Sequence, residues 1–181
     1  MSAATALIVV DAQDSFRQRA SWDPAIAGAY LERQQALIDG AKAKGLPVVQ
    51  ILHVEAEGIF SLASGHVRTV EGLSLAPDVT FHKPSHSALV GTGLLVWLIQ
   101  NRIGRVIVSG IRTEQCCETT TRHASDLGFA VDYVTEATLT FDMTDRHGRV
   151  FTVDEIKART ELVLHERFAR IATVEEALEA A

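Results

Sequence analysis

Apolar residues fall into short continuous runs separated by longer amphipathic stretches. Ala6-Leu7-Ile8-Val9-Val10 is one such run, rich in β-branched residues. A run of this kind suits a strand buried on both faces, as in a parallel sheet. Similar runs predict strands at residues 47–53 and 105–109, a further strand at 130–134, and short ones at 79–81 and 168–172. Between them lie helical patterns. Asp23-Pro24 offers an N-cap and a first helical residue. Ile26, Tyr30, Arg33, Leu37 and Ala41 then recur at helical spacing up to a stop at Gly45-Leu46-Pro47. Helices are predicted over 91–102, 113–127 and 152–165, and Thr173-Val174-Glu175-Glu176 reads as a capping box before a last one. Residues 54–77 show no sustained period and read as a long loop that could cover a site; 135–151 read as irregular. Strands alternating with helices predict a doubly wound α/β fold, a mostly parallel central sheet with helices on both faces.

The chain has 181 residues, within the range of one domain, so residues 1–181 are expected to form a single unit. Its net charge of −6 carries no long Lys/Arg run, and nucleic-acid binding is not expected. The first apolar run stops at Asp11, too short for a signal peptide or a membrane span. The two cysteines, Cys116 and Cys117, are adjacent, a spacing that disfavours a disulfide. A cytoplasmic location is expected.

In open α/β sheets, ligands bind beyond the carboxyl ends of the strands. Three polar groups fall there. Asp11 directly follows the first strand, Lys83 follows the 79–81 segment, and Cys116 comes shortly after the 105–109 strand. Thr113 is a candidate N-cap, which would place Cys116 in a first helical turn. A helix N-terminus and a nearby ammonium both favour a thiolate. Asp11 could take the thiol proton and return it to a leaving group. Taken singly, each residue also has an ordinary role, as core thiol, turn carboxylate or surface amine.

The order of three motifs separates these readings. Gly110, Ile111, Thr113 and Cys116 resemble the nucleophile turn of the isochorismatase-like hydrolases. Val10-Asp11-Ala12-Gln13 with Phe16 is similar to that family's opening motif, and His82-Lys83 with Ser87-Ala88 and Gly91-Thr92 to its lysine segment. The resemblance spans roughly residues 6–172. It implies hydrolysis of a small amide or related C–N bond, with Cys116 as nucleophile, Asp11 as proton carrier and Lys83 as the third catalytic group. It also implies a cis peptide at Ile111–Arg112 and an oxyanion hole made by the backbone N–H groups of Arg112 and Cys116. Spacing from Gly110 and Thr113 selects Cys116 over Cys117, which is rotated about 100° around the helix and should turn into packing.

Some relatives hold a metal through an Asp-x-His pair. Here Ile51 stands two residues before His53, and His53 with His66 makes a poor ligand set, so neither metal nor cofactor is expected. His53 is read as a pocket, supporting or structural residue. Gln13, Phe16, Trp22, Phe60, His86 and Arg112 are candidates for substrate contact, with Phe141 a further candidate wall. Arg112 could bind a substrate carboxylate, or instead pair with Glu114, Glu118 or another subunit. Self-association is expected from the flanking amphipathic helices and from the family's habit. Two other functions remain open at this point: hydrolysis of an isochorismate-like ether or an ester, and a non-catalytic binding role.

Overall fold

A computed structural model describes residues 4–181. In chain order it contains β1 (Ala4–Val10), α1 (Pro24–Ala43), β2 (Val48–His53), β3 (Val79–Lys83), α2 (Leu94–Gln100), β4 (Ile103–Ile111), α3 (Glu118–Asp126), β5 (Ala130–Leu139), β6 (Met143–Thr144), β7 (Val150–Phe151), α4 (Val153–Leu164), β8 (Arg170–Ile171) and α5 (Val174–Glu179). Six strands form one sheet in the order β3-β2-β1-β4-β5-β8, and every pairing in it is parallel. β6 and β7 make a separate antiparallel hairpin. The fold is the doubly wound α/β architecture that the alternation of patterns predicts.

The apolar runs are strands because both of their faces are covered. Ile8, Val10, Val49, Ile51, Val106 and Val108 pack with Leu94 and Leu98 of α2, Ala124 of α3 and Leu164 of α4. Leu7, Val9, Val48 and Ile107 point the other way, onto Leu37, Ile38 and Ala41 of α1 and Ala177 of α5. Asp23 accepts a hydrogen bond from the Ala25 N–H at 2.8 Å, the cap expected for α1. Thr152 and Thr173 each close a reciprocal capping box, with Glu155 and Glu176.

Several boundaries differ from the sequence reading. β5 runs past residue 134 to Leu139, because Thr135 and Thr138 are buried and Thr138 Oγ1 donates to the Thr135 carbonyl at 2.8 Å. β3 extends to Lys83, which is therefore the last residue of the strand. α2 begins only at Leu94, and β8 is confined to Arg170–Ile171. The segment read as one helix over 113–127 is a π-helical turn, Thr113–Cys117, followed by α3. Cys117 N–H donates to the Arg112 carbonyl at 3.2 Å, the five-residue span that defines such a turn. Thr113 is not the N-cap. Arg112 holds that position, and Thr113 Oγ1 is instead 2.7 Å from Thr138 Oγ1.

The strand order places the site. From β1 the chain winds outward through β2 to β3, then returns to lay β4 on the other side of β1. The crevice at the carboxyl ends of β1 and β4 is the topological switch point.

Candidate active site

Asp11 is the first residue after β1 and has φ 49°, in the left-handed region that a non-glycine residue seldom adopts. Beside it, β4 ends in Gly110-Ile111. Gly110 has φ +124°, and a Cβ there would collide with the Val10 carbonyl oxygen. Only glycine lets the two strand ends come this close. The Ile111–Arg112 peptide is cis. The π-helical turn then carries Cys116 over the end of the sheet, while the register between β2 and β3 sets Lys83 beside His53.

The three groups meet. Lys83 Nζ lies 2.7 Å from Asp11 Oδ2 and 3.3 Å from Cys116 Sγ. It also donates to the Ser85 carbonyl at 2.9 Å. Asp11 and Lys83 are fully buried, and Cys116 is nearly so. Asp11 is ion-paired with Lys83 and lies beside the Cys116 thiol, the neighbour whose proton it is placed to accept. Cys117 is buried in the apolar cluster between the sheet and α3.

The electrostatics correct one expectation. The turn and the lysine were expected to favour a thiolate. Burial instead pushes the Cys116 thiol up to about 12, the Asp11 carboxylate pushes the same way, and the Lys83 ammonium opposes both. Burial also raises Asp11 above the usual carboxylate range, with Lys83 partly offsetting it. Burial thus favours the thiol over the thiolate at Cys116, beside a carboxylate of increased basicity.

A cleft of about 130 Å3 opens onto these groups, lined by Asp11, Phe16, Arg19, His53, Glu55, Phe60, His86, Arg112, Gln115 and Cys116. Phe16 and Phe60 meet edge to face at 5.0 Å and form its apolar wall. Two residues expected to touch substrate do not line it. Gln13 is fully buried and spends its amide on the backbone of His53, accepting from its N–H at 2.7 Å and donating to its carbonyl at 3.1 Å. Trp22 packs on Phe141, with ring centroids 6.2 Å apart, and Phe141 lies beneath the Arg112 guanidinium.

Arg112 does line the cleft, but its Nε faces Glu114 Oε1 at 3.2 Å. His53 is a bridge. Its Nδ1 is 3.5 Å from Lys83 Nζ and its Nε2 is 3.3 Å from Glu55 Oε1. An ammonium only donates, so Nδ1 accepts and Nε2–H donates to Glu55. His66 points elsewhere, toward Asp14 at 3.7 Å. Among the described residues no group of three His, Cys, Asp or Glu gathers around a possible metal position.

Sequence reasoning missed Arg19, Glu55 and Gln115. Glu55 was legible in principle, since positions 53 and 55 share a side in extended chain. Arg19 was not, because it reaches the cleft from the end of a 3-10 turn, Asp14–Gln18, that has no sequence signature.

The Isochorismatase domain family matches residues 5–175. The chain belongs to the isochorismatase-like hydrolase family. It is 28% identical over 174 residues to the uncharacterized isochorismatase family protein YrdC of Bacillus subtilis, covering 94% of this chain and 92% of that one. It is 34% identical over 105 residues to nicotinamidase 3 of Arabidopsis thaliana, covering 54% and 53% respectively. Among solved structures, a hydrolase assigned to the isochorismatase family from Chromobacterium violaceum superposes with a TM-score of 0.88 at 29% identity, covering 99% of this chain and 94% of that one. The hydrolase family inferred from three short motifs and the doubly wound fold read from the alternating patterns therefore both hold. Among the described residues no helix is long and apolar enough to cross a membrane.

Proposed function

We propose that the chain hydrolyses a small amide, or a related C–N bond, through a thioester on Cys116. One observation carries this reading. Lys83 bridges the Asp11 carboxylate and the Cys116 sulfur within 3.3 Å, in a buried setting at the floor of a cleft. Such a cluster is costly to bury without a use for it. The Arabidopsis relative, named a nicotinamidase, lends support to amide chemistry.

Cys116 Sγ attacks the substrate carbonyl carbon as its proton passes to Asp11. Burial that pushes the thiol up to about 12 disfavours a free thiolate, so Asp11 is needed to take the proton. The raised basicity of Asp11 favours that transfer, and the Lys83 ammonium stabilises the sulfur as charge develops. The backbone N–H groups of Arg112 and Cys116 hold the oxyanion. The C–N bond then breaks, Asp11 gives its proton to the departing nitrogen, and a thioester remains. Water enters, Asp11 takes its proton, the C–S bond breaks, and the thiol regains that proton.

Retention of the thiol argues against an ether hydrolase that needs only Asp11. Ammonia release from a panel of small amides, ureas and amino-acid amides tests the proposal. Turnover that disappears in Cys116→Ala supports it. Turnover of an ether or ester that survives Cys116→Ala, with no amide cleaved, overturns it.

A further inference from the structure

The charged groups at the cleft are engaged by neighbours, with one exception. Asp11 is paired with Lys83, Arg112 with Glu114, and Glu55 accepts from His53. Arg19 also lines the cleft, and no carboxylate lies within 4.0 Å of it among the described residues. Its guanidinium carbon sits 4.9 Å from the Phe60 ring centroid and 5.9 Å from that of Phe16. Both rings are buried and belong to the cleft wall. Stacking on an aromatic wall restrains an otherwise mobile side chain and leaves its N–H edge free. The cleft, at about 130 Å3, is small beside the usual ligand site of roughly 300–1,000 Å3. It admits only a compact molecule, so any charged group on that molecule lies within a few bonds of the scissile carbonyl.

We propose that Arg19 determines specificity, and that the substrate is a compact amide bearing a carboxylate, which the guanidinium receives through two parallel hydrogen bonds. The proposal rests on the amide-hydrolase reading of the same site. A planar fork matches a carboxylate, and among the cleft residues only Arg19 and Arg112 carry one. Arg112 is the alternative cation, but Glu114 already neutralises it as an ion pair at 3.2 Å, and its Nη2 lies 3.4 Å from both Thr140 Oγ1 and the Phe141 carbonyl.

The test uses compounds of matched size and different charge: malonamate, malonamide and 3-aminopropanamide, then succinamate, succinamide and 4-aminobutanamide. Ammonia release is measured for the wild-type protein, Arg19→Gln and Arg19→Lys. The expected result is a preference of about tenfold or more for the anion in at least one series, the scale of one charge-assisted pair. Arg19→Gln should remove that preference mainly through KM, with the loss larger on the anion than on the neutral amide. Arg19→Lys should restore part of it, and added salt should weaken it. Equal or better turnover of the neutral or cationic member, or an equal loss on all three in Arg19→Gln, overturns the proposal while the amide reading stands. If no compound is cleaved, the same set is tested for protection of Cys116 against iodoacetamide at alkaline pH. Protection by the anions that Arg19→Gln abolishes supports anion recognition and overturns the amide reading. Absence of protection overturns the role of Arg19.

Discussion

Cys116 and Cys117 are neighbours with opposite fates. Cys116 faces Lys83 and the cleft, whereas Cys117 is buried among apolar side chains. Replacing Cys116 by Ala should reduce amide turnover to background. Cys117→Ala should keep turnover within several-fold and cost about 1 kcal/mol of stability, read by urea denaturation alongside the ammonia assay. The protonation state gives a second prediction. A free thiol has a pKa of about 8.5. With Cys116 held up to about 12, its labelling by iodoacetamide should be slow at pH values where a free cysteine reacts and should climb steadily toward strong alkali. Lys83→Met removes the one group that lowers it and should slow labelling further. Fast labelling below the ordinary thiol range would contradict this account of the resting site. Asp11, Lys83 and Cys116 were legible as residues because each sits at a strand end in a recognisable motif. The direction of the thiol shift was not, because it depends on a burial that no local pattern reveals.

Two short elements set the geometry. The pairing of β1 with β4 needs Gly110 at its end, whose φ of +124° and contact with the Val10 backbone leave no room for a side chain. Gly110→Ala should destabilise the fold by about 3 kcal/mol or more and misplace Asp11 relative to Cys116, so denaturation and turnover should both report the loss. A surface cap gives a contrast. Thr152→Ala breaks the capping box of α4 and should cost about 1 kcal/mol without changing kcat. The buried strands were legible because their apolar runs are long and β-branched. The π-helical turn was not, since its residues would also suit an α-helix and only the hydrogen bond from Cys117 to Arg112 distinguishes the two. The far end of β5 was hidden for a related reason. Thr135, Glu136 and Thr138 look like loop residues until Thr138 finds partners in the Thr135 carbonyl and Thr113.

Across the whole molecule, the doubly wound sheet brings together residues far apart in sequence at one switch point, where Asp11 and Lys83 are fully buried. The ionisation of that pair should govern the pH dependence. Asp11 must be a carboxylate to accept the thiol proton, so kcat/KM should rise with pH through the raised pKa of Asp11, placing the acid limb above the ordinary range near 4. Lys83→Met should move that limb higher still, because the ammonium is the main group opposing the burial of Asp11. The most direct test of the central claim is mass spectrometry of the intact protein, acid-quenched during turnover of an amide found by the panel. The account predicts an added acyl mass on Cys116, absent from Cys116→Ala and discharged when turnover is allowed to finish. Ammonia release that continues undiminished in Cys116→Ala, with no adduct on the wild-type protein, would contradict it.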